Sequence, residues 1–174
     1  MKNITECGFK ETDTEKLGFD PFEKIGKEWM LVTAGNESAL NSMTASWGFT
    51  GVMWGQPCAV TVIRPQRYTK EFIDKSGYFT LSFFDESYRQ ALALCGRVSG
   101  RDTDKISQAK LTPVSVGESS AFEQASLVLY CRKLYAGQLQ PSAFIDKSLI
   151  DANYSAGDFH TAYIGQIVKA YTRG

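Results

Sequence analysis

The run Cys58-Ala59-Val60-Thr61-Val62-Ile63 is apolar or β-branched throughout, and it stops at Arg64-Pro65. Proline has no amide hydrogen to give a neighbouring strand, so a buried strand ends at residue 63. Thr69 is then the expected N-cap of a short helix over 70–75, with Phe72 and Ile73 as its apolar side. The same grammar of short strands and glycine or proline breaks governs the rest of the chain. Residues 29–34 form a strand closed by the turn cluster Gly35-Asn36-Glu37-Ser38, and 39–49 return as its hairpin partner. Gly48, Gly51, Gly55 and Pro57 break the chain before the next strand. Residues 78–84 form an aromatic-rich strand. Asp85 caps a helix in which Tyr88, Ala91, Leu92 and Cys95 fall on one face. Thr103 or Asp104 opens one more helical turn, and long strands cover 126–139 and 159–171. The reading is mainly β: a barrel with short peripheral helices.

A chain of 174 residues is long enough for one domain. The first 25 residues are polar and weakly periodic, and read as an N-terminal arm over the surface, with the domain spanning 26–174. Lys+Arg and Asp+Glu number 19 each, so no global field favours nucleic acid or an anionic membrane. Neither an apolar signal core nor a run long enough for a membrane helix is present. Cys7, Cys58, Cys95 and Cys131 form no Cys-x-x-Cys pair, and His160 is the only histidine, so no zinc-ligand spacing exists. Reduced thiols in a cytoplasmic protein are expected. In such a compartment the sequons at Asn3, Asn36 and Asn153 go unused.

Most catalytic templates fail on inspection. There is no Gly-x-Gly-x-x-Gly fingerprint, Gly96-Arg97-Val98-Ser99-Gly100-Arg101 lacks a P-loop ending, and no nucleophile elbow surrounds a serine or cysteine. The informative stretch is Arg64-Pro65-Gln66-Arg67-Tyr68-Thr69. Here two arginines flank a helix start whose free amides favour an anion, and arginine's planar fork suits phosphate oxygens. A solvated surface turn is the alternative. The loop 96–105 adds Ser99, Gly100, Arg101 and Lys105; its alternative is internal pairing through Asp102 and Asp104. The strand Asn41-Ser42-Met43-Thr44-Ala45-Ser46-Trp47 alternates small and polar residues that admit a flat ring close to the backbone, with Trp47, Trp54, Phe83 and Phe84 as apolar walls. Ordinary strand-edge and core roles are the alternative for each.

These segments together resemble the FMN-binding split-barrel flavoproteins of the flavin reductase type. The resemblance is carried by 41–48, Pro57 before a β-branched strand, 64–69, 79–83, 99–105 and Gly157-Asp158-Phe159-His160 ahead of Ile164-Gly165-Gln166-Ile167-Val168. It spans 29–171, preserves the order and spacing of the segments, and leaves the arm outside. It implies an FMN-binding split β-barrel and a homodimer with FMN near the subunit interface. By the same resemblance Met43, Thr44, Ala45, Ser46 and Trp47 hold the flavin ring, and Arg64, Arg67, Tyr68 and Thr69 hold the phosphate. Ser82 and Phe83 are implied beside the flavin, with Ser99, Gly100 and Lys105 completing the site. Relatives often carry Gly-Asp-His where this chain inserts Phe159, and His160 is the implied catalytic side chain.

The implied activity is hydride transfer from NADH or NADPH to FMN, then electron delivery to a small-molecule acceptor. A non-catalytic flavin store or redox sensor, and a cofactor-free β-barrel interaction protein, remain the competing readings.

Overall fold

A computed structural model describes residues 1–173 of the chain. The strands are β1 (Phe9–Thr12), β2 (Met30–Gly35), β3 (Leu40–Ala45), β4 (Gly48–Met53), β5 (Gln56–Ile63), β6 (Tyr78–Phe83), β7 (Pro113–Val116), β8 (Ser119–Phe122), β9 (Leu127–Gln138) and β10 (Thr161–Arg173). The helices are α1 (Tyr68–Lys75), α2 (Arg89–Arg97), α3 (Lys105–Gln108) and α4 (Ser148–Asn153). The main sheet runs β3-β2-β6-β9-β10-β5-β4, every pairing is antiparallel, and β1 is added to β10. β7 and β8 make a separate hairpin.

β3 and β4 lie at opposite ends of this sheet, yet only Ser46 and Trp47 separate them in the chain. The sheet must therefore curl until its ends meet. β3 pairs with β2 and β4 pairs with β5, and no ladder joins β3 to β4 among the described residues. The result is a split β-barrel, mainly β with short helices. The expected single strand over 39–49 is corrected at this point: it bends at Ser46-Trp47, and its second half belongs to the β4–β5 hairpin. Gly48 and Gly51 lie inside β4, and Pro57 inside β5, rather than in a break. Pro57 is tolerated there because β5 is only beginning.

The barrel interior is filled by Met30, Val32, Ala34, Ile63, Phe79, Leu81, Phe83, Leu129, Tyr163 and Ile167. A second apolar layer lies outside the sheet, where Leu31, Val128 and Tyr130 meet α2 and the β7–β8 hairpin through Leu92, Cys95, Val114 and Phe122. β2 is thus covered on both faces, which is why 29–34 reads as a continuous apolar run rather than an alternating one. The N-terminal segment is knitted into this second layer. Ile4, Cys7 and Phe9 are buried, and β1 pairs from Phe9↔Arg173 to Thr12↔Ala170. All four cysteines are free and buried. No helix is long and apolar enough to cross a membrane, and no group of three or more His, Cys, Asp or Glu side chains is placed to hold a metal, among the described residues.

Gly165 shows how tightly the barrel closes. A Cβ on it would sit 2.7 Å from the Phe79 ring and 2.9 Å from Cys131 Cβ, in the fully buried centre. Gly165→Ala should therefore cost about 1–3 kcal/mol in urea unfolding, through overpacking. Gly51→Ala, with nothing within 4 Å of the added atom, should stay within about 0.5 kcal/mol of wild type. Equal effects at the two positions would contradict this packing.

Candidate functional site

The split in the barrel is where polar groups converge. β3 and its link to β4 supply Met43, Thr44, Ala45, Ser46 and Trp47, the end of β5 supplies Val62 and Arg64, and β10 is preceded by His160; with Arg67 they enclose a pocket of about 230 Å³. A second pocket, of about 260 Å³, is lined by Met43, Arg64, Gln66, Arg67, Tyr68, Thr69, Arg97, Val98, Ser99 and Lys105. Met43, Arg64 and Arg67 belong to both, so the two adjoin as one trough. The side chains of β3 are small or flexible there because α2 packs directly behind it, with Gly96 against Thr44.

The trough carries more positive charge than its protein partners balance. Arg64 pairs with Asp158 at 2.6 Å and also donates to the Asn153 carbonyl at 2.9 Å. Gln66 donates to the same Asp158 oxygen at 2.8 Å, and this bond and Arg64 hold the carboxyl below its usual range. Among the described residues the Arg67 guanidinium donates only to the Gly96 carbonyl, at 2.6 Å. Lys105 is 3% exposed, and its Nζ reaches the Cys95 and Val98 carbonyls at 3.3 and 3.2 Å. Desolvation lowers the pKa of both; Arg64 adds to the lowering at Arg67, and at Lys105 Cys95 opposes it while Arg67 adds to it. Neither Arg67, Lys105 nor Arg97 has a carboxylate partner among the described residues. Buried cations normally carry a counter-charge.

Backbone groups add to this field. α1 begins at Tyr68, its N-cap is Arg67, and no side chain caps it. The helix starts two residues earlier than a Thr69 cap requires, and the Arg67 amide already closes a turn onto the Arg64 carbonyl at 3.1 Å. Thr69 is fully buried, and its hydroxyl accepts from Asn41 Nδ2 at 2.8 Å. Gly100 lines neither pocket but lets the 96–105 loop lie against β3: a Cβ there would meet Asn41 Oδ1 at 2.1 Å and Tyr68 at 3.5 Å. Asp104 caps α3 through the Ser107 amide, and α3 fixes Lys105 at the loop's end.

Ser82 and Phe83 do not reach the trough. β6 is separated from the trough-lining β3 by β2, both residues are fully buried, and Phe83 packs 5.6 Å from Phe19. Phe84 lies in the outer apolar layer and Trp54 at the tip of the β4–β5 hairpin. Of the expected aromatic walls only Trp47 lines the pocket. Its ring is 5.0 Å from His160, whose Nδ1 is 2.9 Å from the Tyr154 hydroxyl. Asn41, Gln66, Arg97, Tyr154 and Asp158 are site residues the sequence left unmarked as such. Asn41 sits in the quoted strand, whereas Tyr154 lies in an irregular segment with no periodicity to single it out.

Burial, then the nearby Arg64 and Arg67 charges, push the His160 pKa from 6.5 down to about 4, with Asp158 opposing. The folded imidazole is therefore neutral where the unfolded one takes up a proton, and stability falls as pH drops from 6.5 to about 4. Above 6.5 this contribution is fully present. His160→Gln should lose less stability between pH 7 and pH 5 in denaturant titrations than wild type. An equal loss would place the histidine in solvent.

Residues 22–174 match the family described as the flavin reductase like domain. No curated protein matches the sequence. Among solved structures, an FMN-binding domain of a flavin reductases-like enzyme from Shewanella baltica superposes with a TM-score of 0.68 at 17% identity, covering 95% of this chain and 77% of the other. Flavoredoxin of Desulfovibrio vulgaris gives 0.65 at 20% identity, covering 90% and 75%. The styrene monooxygenase flavin reductase of Pseudomonas putida gives 0.60 at 16%, covering 83% and 79%. These structures share the fold, and the family match spans all of the trough-lining residues: this chain belongs to the flavin reductase like domain family.

Proposed function

We propose that the trough binds FMN and that the protein is an NAD(P)H-dependent oxidoreductase, passing electrons from reduced nicotinamide to a small-molecule acceptor. The observation that carries this reading is the charge imbalance: Arg64, Arg67, Arg97 and Lys105 share one carboxylate, Asp158, beside an uncapped helix N-terminus. A phosphate monoester is the size and charge that such a set lacks. Arg67 and Lys105 would hold it, together with the first amides of α1, while Met43, Thr44, Ala45, Ser46 and Trp47 would flank the ring. Bound FMN supplies the hydride-accepting and electron-donating chemistry. Neutral His160 offers a hydrogen bond without adding charge.

The same reading includes a homodimer. Phe49, Val52, Met53 and Trp54 leave the edge strand β4 and its turn exposed, and the exposed Trp47 joins them to the trough. An apolar edge of this kind is what interfaces cover. Light scattering should give twice the 19.3 kDa chain mass. A flavin-loaded monomer that survives dilution would contradict it.

Arg67→Ala should weaken FMN about ten- to a hundred-fold, the worth of a charge-assisted hydrogen bond, and spare riboflavin. Equal losses for the two flavins would separate Arg67 from the phosphate. Steady NADH or NADPH oxidation that requires FMN supports turnover; FMN binding without oxidation would leave a flavin carrier.

A further inference from the structure

The segment between β9 and β10, residues 139–160, returns to the trough through Tyr154 and His160, and neither spacing nor composition marks Tyr154. We propose that Tyr154 is a positioning residue: its hydroxyl donates to His160 Nδ1 and holds the imidazole as the Nε2–H tautomer, giving the trough a fixed neutral donor for a carbonyl or ring-nitrogen acceptor of its ligand. This rests on the trough being the ligand site.

The direction of the bond follows from the chemistry of the two groups, 2.9 Å apart and both buried. A phenol donates more strongly than it accepts, and an unprotonated imidazole nitrogen is a strong neutral acceptor. With the roles reversed, the hydroxyl proton of Tyr154 would have no acceptor, because this side chain makes no other hydrogen bond among the described residues. Burial raises the tyrosine pKa, so the proton stays on the phenol. Arg64 and Arg67 face the imidazole and oppose its protonation, and Asp158 only partly offsets them. Nε2 has no protein partner among the described residues, and His160 lines the pocket beside Trp47.

Tyr154 is itself held firmly. Its ring stacks on Phe159 at 4.6 Å and 18°, meets Phe144 edge-on at 5.8 Å, and lies 5.2 Å from the Arg64 guanidinium. Its amide donates to the Ile150 carbonyl at 2.7 Å and closes α4. Tyr154→Phe keeps these ring contacts and removes only the hydroxyl.

His160 is the only histidine, so imidazole ¹⁵N signals report on it alone, with no flavin required. At pH 7 the wild type should show a protonated Nε2 and an unprotonated Nδ1. Tyr154→Phe should move both signals toward the average of the two tautomers. A protonated Nδ1 in the wild type, or unchanged signals in the variant, overturns the proposal whether or not the trough binds flavin. In the FMN-loaded protein at saturating FMN, Tyr154→Phe should slow nicotinamide oxidation about tenfold. In a His160→Gln background, whose amide is a donor of fixed identity, the same change should cost less than about twofold. A tenfold loss in both backgrounds would show that the hydroxyl acts elsewhere, and would overturn the proposal.

Discussion

Ser46 and Trp47 carry the chain from one end of the main sheet to the other, and much else in the molecule follows from that short link. Antiparallel strands twist, and a sheet whose terminal strands must lie within two residues of each other has to roll up. It rolls without a closing ladder, so a seam remains. Seams expose backbone groups and side-chain flanks that a closed barrel would hide. Here the seam is bordered by β3, the end of β5 and the start of β10, and these are the segments that deliver Met43 to Trp47, Arg64 and His160.

The electrostatics of the seam run against stability. A Lys105 that is almost fully covered, and an Arg67 held only by a carbonyl, are costs that a fold selected for stability alone would replace with apolar side chains. The lowered pKa of each records that cost in its direction. Phosphate would supply the missing charge, which couples ligand binding to the stability of the same region. The neutral His160 belongs to this arrangement: the cations that attract an anion also keep the imidazole unprotonated.

Strands bounded by hard punctuation were legible in the sequence. The run ended by Arg64-Pro65 and the aromatic strand at 78–84 lie where their composition puts them, because proline and β-branching act locally. The bend at Ser46-Trp47 was not legible, since a single serine is a weak turn signal and the bend is imposed by closure of the sheet. The β7–β8 hairpin escaped notice because β7 is only four residues long and β8, Ser119-Ser120-Ala121-Phe122, is buried throughout and shows no alternation. In the trough, the arginines announced themselves by type. Ser82 and Phe83 lie away from the trough because strand order, which single residues do not encode, puts β2 between their strand and β3. Tyr154 acts through a contact whose partner is six residues away but set by an irregular loop.

The central claim is that an uncompensated cationic trough exists to take a flavin phosphate. Titration of the wild-type protein with FMN and with riboflavin, followed by flavin fluorescence at fixed ionic strength, tests it most directly. The account predicts saturation at one FMN per chain, with FMN at least about tenfold tighter than riboflavin and displaced by added inorganic phosphate. Equal affinity for the two flavins, or no binding of either, would contradict it.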